Sequence, residues 1–298
     1  MSPLDFILEP LGYEFMVRAL VTTSIAALVC ALLSCWLVLI GWSLMGDAVS
    51  HAVLPGVVLA YIVSAPFALG AVVFGVLAVG LIGIVRDRSR IKEDAAIGIV
   101  FTTLFALGLA LISVTPSQTD LAEIVFGNVL GVSQTELAQI AVLAAIVLIV
   151  VLLKRRDLTL FAFDPTHAFS IGLSPRLLGA LLLGMLALTA VVALQVVGVV
   201  LVVALLIIPG ATASLLTDRF GRMLLIAPAL AVTASVVGIY LSYWWDASPG
   251  ALVVLTQGTL FTIVFLASPR YGVFAARLAA ARRARLAPPR TTDASEGR

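Results

Sequence analysis

Nine apolar stretches follow one another along this 298-residue chain, at about 16–40, 42–65, 67–85, 95–114, 136–153, 178–196, 198–216, 223–244 and 250–267. A hydrocarbon core about 30 Å thick is crossed by roughly 20 mostly apolar residues in a helix. Inside that core there is no water to satisfy backbone amides and carbonyls, and a helix satisfies them within each segment. The expected fold is therefore all-α, a polytopic transmembrane helix bundle of about nine crossings, or eight if the 42–65 segment is broken or re-entrant. Charged residues make up only 11% of the chain, against about 25% in soluble domains. The net charge of +2 gives no reason to expect a nucleic-acid partner. Cys30 and Cys35 lie inside one apolar run and read as packing residues, not as a disulfide or a metal clip. Asp5, Glu9 and Glu14 precede the first run in place of a basic segment, so no cleaved signal peptide is expected.

The basic residues are sorted by position. Arg86, Arg88, Arg90 and Lys92 form one cluster, Lys154, Arg155, Arg156 and Arg176 a second, Arg219 and Arg222 a third, and further arginines fill the tail from Arg270 to Arg298. Short cytoplasmic loops collect Lys and Arg, so an even number of crossings must separate successive clusters. Hairpins at 95–153, 178–216 and 223–267 meet that condition, and Gln195 with Gly198 marks the reversal inside the long apolar run from Leu177 to Leu216. Three crossings before Arg86 place the acidic N-terminus outside; if the 42–65 segment is broken or re-entrant, the N-terminus is inside. The opposite loops are acidic or neutral, with Asp120, Glu123, Glu136 and Asp246, and Trp244 and Trp245 suit the membrane interface. Ser133 to Glu136 has the spacing of a capping box and predicts a helix start. The membrane-spanning region is thus expected at 1–268, with a cytoplasmic segment at about 154–176. Residues 269–298 form a basic cytoplasmic tail, partly disordered.

Ionisable side chains near the bilayer centre cost roughly 2.5–3.5 kcal/mol even on lenient scales, so each one there is a functional candidate. Asp47 and His51 are the clearest pair. With a helix starting near Gly41, a rise of about 1.5 Å per residue sets them roughly 10–15 Å deep. Their i, i+4 spacing stacks both on one face. Carboxylate oxygen with imidazole nitrogen suits zinc, manganese or ferrous iron better than magnesium. One chain gives half a site, and a twofold dimer would assemble two of each. The alternative is structural: Asp47 and His51 bonding each other, or Ser43 and Ser50, to tie helices together. Pro55-Gly56 follows the pair, and Pro209-Gly210 repeats it in the seventh stretch; both are candidate kinks along a pathway.

The stretch Met45-Gly46-Asp47-Ala48-Val49-Ser50-His51-Ala52-Val53-Leu54-Pro55-Gly56 resembles the signature of permeases from the zinc/manganese/iron class of ABC importers. Similar blocks follow in order: Lys92 to Ile99, Phe126 to Gly131, Ala162 to Pro165 with Ser170 to Leu173, and Pro209 to Ala213 running to Phe220. The sequence departs from that pattern in lacking a basic residue near Ile40–Gly41. The resemblance implies a type II importer-like bundle in the bacterial inner membrane. It further implies a homodimeric permease working with a separate cytoplasmic ATPase and an extracytoplasmic metal-binding protein, and Asp47 and His51 as the intramembrane metal contacts. It also implies that Asp164, Pro165, His167, Ser170, Gly172 and Leu173 belong to the helix that seats in the ATPase.

From the residues themselves, Asp164 before Pro165 reads as a helix start and Gly172 with Pro175 as a stop. No G-x-x-x-x-G-K-[ST] phosphate loop occurs, so this chain is not itself expected to be an ATPase or another enzyme; ATP belongs on a partner subunit. No resident cofactor is expected, the metal being cargo moved by alternating access. Asp120 and Glu123 are candidates for docking the delivery protein. The rival readings are a secondary cation transporter, which would work without ATP, and a permease for a metal chelate such as a siderophore. Topology is testable directly: fluorescent-protein fusions at Arg90, Arg156 and Arg219 should be bright, and alkaline phosphatase should be active when fused at Asp246 and inactive at the other three sites.

Overall fold

The computed structural model describes residues 8–65, 67–115 and 129–268. Ten α-helices make up the bundle among them: α1 Glu14–Ile40, α2 Ser43–Ala52, α3 Leu54–Ile62, α4 Phe67–Arg88, α5 Glu93–Val114, α6 Gln134–Phe163, α7 Pro165–Ser170, α8 Pro175–Leu216, α9 Phe220–Trp245 and α10 Pro249–Ala267. Seven spans among the described residues are long and apolar enough to cross a membrane, α2 and α3 counting together as one, and the two arms of α8 supply shorter apolar helices.

Helix α1 is the centre of the bundle. In its most apolar window 67% of residues are buried, against 17% for α6, which turns most of its surface outward. A helix apolar all round can sit wholly inside a bundle, and Ala27, Cys30, Leu33, Cys35, Trp36 and Leu37 are fully enclosed. It ends at Gly41, whose φ of 89° puts it in the left-handed region that glycine enters freely. The N–H of Gly41 donates to the carbonyl of Leu37, closing the helix.

The contacts fix which ends lie together. Trp36 packs edge-on against Phe220, Phe163 meets the same Phe220, and Trp42 meets Phe161. The C-termini of α1 and α6 and the N-terminus of α9 therefore share one end of the bundle, the end carrying Lys154, Arg155, Arg156, Arg219 and Arg222. The Gly41 turn lies there without a basic residue of its own. At the far end, the Tyr243 hydroxyl donates to Glu9, and its ring meets that of Tyr13.

Helix α8 resolves into the expected reversal. Gly198, at φ 76° and ψ 166°, is its one non-helical residue. Before it, Gly179 lies near Trp42, and Leu188, Thr189 and Ala193 line a small apolar cavity with Ala26 and Val29 of α1. After it, the chain is back at Ser34 by Ile207 and Gly210. The first arm thus runs antiparallel to α1 and the second parallel. The 42–65 stretch is a broken helix, α2 passing into α3 at Val53. Pro55 has no N–H for the carbonyl four residues back, which is that of His51.

One boundary differs from expectation. Helix α6 continues ten residues past 153, through Lys154, Arg155 and Arg156 to Phe163. Basic residues at a membrane boundary do not end a helix; Lys154 pairs with Asp157 one turn on, at 3.1 Å, while Leu158 and Phe161 keep the inner face buried. The N-terminal signal of α6 is present in full: Ser133 N–H donates to Glu136 Oε2 at 2.8 Å, and Glu136 N–H donates to Ser133 Oγ at 3.2 Å.

Glycine sets the closest approach. A Cβ on Gly56 would collide with the carbonyl of Gly70, and one on Gly70 with that of Gly56, so α3 and α4 touch backbone to backbone. Gly56→Ala is expected to destabilise the bundle by about 1–3 kcal/mol through overpacking. Gly80→Ala, where a Cβ meets nothing within 4 Å, should leave stability unchanged or slightly raised. Thermal unfolding of both variants in the same detergent makes the comparison.

Candidate functional site

Asp47 and His51 occupy successive turns of α2. His51 Nδ1 lies 3.0 Å from the Asp47 backbone oxygen and 3.2 Å from Asp47 Oδ1. With Nδ1 donating to these oxygens, the imidazole is held in one orientation and Nε2 is left with a free lone pair. The side chains keep 35% (Asp47) and 25% (His51) of their exposure, so the pair opens on one side of the chain and is walled on the other. The wall is aromatic: Phe101 and Phe105 of α5 each set a ring edge-to-face with the imidazole, centroids 5.3 Å away. Neighbouring Ser50 turns inward and donates to the Gly46 carbonyl at 2.8 Å.

This geometry has a chemical use. Nδ1 carries the proton shared with Asp47, so the groups with lone pairs to offer are the His51 Nε2 and the Asp47 carboxylate. Among the described residues no group of three or more His, Cys, Asp and Glu is placed to hold a metal ion. The pair thus presents one carboxylate and one imidazole and no third such group beside them among the described residues.

The other candidate residues are in different places. Pro55 and Gly56 sit one turn beyond His51, where α2 becomes α3. Pro209 and Gly210 pack on α1 instead: the Gly210 N–H donates to Ser34 Oγ at 2.9 Å. Asp164, Pro165, His167, Ser170, Gly172 and Leu173 gather at the basic end, in and around α7. Asp164 Oδ1 accepts from the His167 N–H at 2.8 Å, and Gly172, at φ 87°, turns the chain so that the Leu173 N–H reaches the Ala168 carbonyl at 3.0 Å. The outer surface of this short helix is exposed at His167, Phe169 and Ile171, while Ala168 is buried against the bundle. Asp120 and Glu123 lie outside the described residues. Sequence reasoning did not pick out Phe101 and Phe105; their i, i+4 spacing, matching that of Asp47 and His51, was the available signal.

Comparison with known proteins bears on the family and the fold. The family model described as "ABC 3 transport family" matches residues 12–268. The manganese transport system membrane protein MntB of Synechocystis is 51% identical over 91% of this chain and 88% of its own length. The chelated iron transport system membrane protein YfeC of Yersinia pestis is 43% identical, covering 92% and 93%. Among solved structures, PsaBC from Streptococcus pneumoniae in complex with Fab superposes with a TM-score of 0.84 at 37% identity, over 92% of this chain and 99% of that one. The chain belongs to the ABC 3 transport family. It is a multi-pass inner-membrane permease subunit and not an enzyme, the ATPase of such systems being a separate chain.

The cap on α7 can be tested by itself. Asp164→Ala is expected to cost this short helix about 1 kcal/mol, whereas Asp164→Asn, an equally good cap, should cost little. Amide hydrogen exchange at His167 and Ala168 should quicken in the first variant and not in the second.

Proposed function

We propose that this permease imports a divalent transition metal, manganese or ferrous iron, and that Asp47 and His51 are the residues that hold the ion partway across the membrane. The observation that carries this reading is the carboxylate–imidazole pair on one face of α2, with the His51 Nε2 left free by the hydrogen bond to Asp47 and the pair open on one side. Two donors from one chain leave the ion undercoordinated, so the pathway lies on the axis of a homodimer, where a second copy supplies two more. The names of the relatives, manganese transport for MntB and chelated iron transport for YfeC, support a metal cargo. A bare ion fits the pair better than a bulky chelate, which would gain nothing from two close-set ligands.

The segment around α7, with Asp164, Pro165, His167, Ser170, Gly172 and Leu173, seats in the partner ATPase, and its exposed Phe169 and Ile171 provide the apolar anchor. ATP binding there shifts the dimer between outward and inward openings. A delivery protein hands over the metal on the outer side, with Asp120 and Glu123 as its docking residues. Pro55-Gly56 and Pro209-Gly210 are the bends about which the pathway helices give.

Uptake of radioactive manganese into inside-in vesicles loaded with ATP and carrying the whole system tests the reading. Asp47→Ala and His51→Ala should each lower uptake at least about tenfold at equal permease content, and removing ATP should abolish it in the wild type. Full uptake by either variant would end the assignment of the site. Competition by unlabelled ferrous iron, zinc and a ferric chelate then ranks the cargo.

A further inference from the structure

Helix α5 lies close along α2 and α3. A Cβ at Gly108 would run into the Leu54 side chain, which shows how tightly α5 is drawn in just above the site. One and two turns nearer the basic end, Phe105 and Phe101 meet His51. Their rings cross the imidazole plane at 79° and 67°, and they lie 6.4 Å from each other at 34°. The imidazole thus has a phenyl edge or face on two sides and Asp47 on a third.

We propose that Phe101 and Phe105 are positioning residues for metal capture: they lock the His51 ring so that its nitrogens keep the orientation in which the ion is bound. This rests on the reading of His51 as an ion contact and adds to it the part played by α5. The physical case has two parts. An imidazole tied only through Nδ1 is free to turn about its Cβ–Cγ bond whenever that hydrogen bond opens, and such a turn exchanges a nitrogen for a carbon at the mouth of the site. Phenyl rings packed edge-to-face resist the turn by shape and by the match between ring edge and ring face. They also carry no acceptor that competes for either nitrogen. A ligand held in its binding orientation loses less freedom when the ion arrives, and affinity rises accordingly.

Leucine at both positions would keep the wall apolar and remove the rings; tyrosine would restore them. The full-length chain, purified in detergent, is titrated with Mn2+, the free ion being followed by its electron paramagnetic resonance, and spin-echo modulation reports whether an imidazole nitrogen ligates the bound ion. The Phe101→Leu/Phe105→Leu pair should bind Mn2+ about tenfold more weakly and with shallower nitrogen modulation. The Phe101→Tyr/Phe105→Tyr pair should return to within about twofold of the wild type. A leucine pair with unchanged affinity and modulation, beside a His51→Ala variant that has lost both, overturns the positioning role and leaves the ion site standing. Failure of the tyrosine pair to restore binding also overturns it. Undiminished binding by His51→Ala removes the site and this inference together. Should the leucine pair elute as aggregate, Phe105→Leu alone carries the comparison, and its failure to weaken binding counts against the proposal.

Discussion

Hydrocarbon offers nothing to a polar group, so the backbone and most polar side chains of this bundle find their partners within the protein, the buried Thr23, Trp36, Thr189 and Gln257 side chains being exceptions. That constraint accounts for the all-helical described core and for the small local devices along it. Thr22 donates to the Arg18 carbonyl, Ser235 to that of Ala231 and Thr212 to that of Ile208, each one turn back within its own helix. Ser34 reaches across to α8 where Pro209 has interrupted the ladder. The ionisable pair on α2 obeys the same rule, since the His51 Nδ1 finds both the backbone oxygen and the carboxylate of Asp47.

The second organising fact is mechanical. Helix α2 begins immediately after Trp42, and Trp42 rests on Phe161, which also meets Gly179 at the foot of α8. Phe161 stands just before Asp164, the cap of α7. The exposed surface around α7 and the helix that bears Asp47 are thus linked through two aromatic side chains and a glycine. Packed interiors transmit displacement because they have little void to absorb it. This contiguity is spatial; coupling energies across it are a matter for double-mutant measurement.

Much of the fold was legible beforehand because the membrane imposes simple rules. Apolar runs announced the spans, the clusters at Arg86 to Lys92, Lys154 to Arg176 and Arg219 to Arg222 announced their direction, and Gly198 announced the turn in α8. Asp47 and His51 stood out for the same reason, as charges where charge is costly. What stayed hidden was the packing. Faces turned to lipid and faces turned to protein are both apolar, so periodicity does not separate them. Nothing in the order of residues says that Gly56 meets Gly70, that Phe101 and Phe105 flank His51, or that Pro209-Gly210 rests on Ser34 apart from Pro55-Gly56. The extension of α6 to Phe163 escaped notice because three consecutive basic residues look like the end of a span while remaining good helix formers.

The reversal at Gly198 bears on how the protein is made. A hairpin whose bend is a single residue has no hydrophilic loop to carry across, and its first arm has no flanking charge on the far side to hold it in place. Between Leu177 and Leu216 the chain carries no charged residue, so the positive charge that orients these two arms sits at their feet, in Arg176 and Arg219.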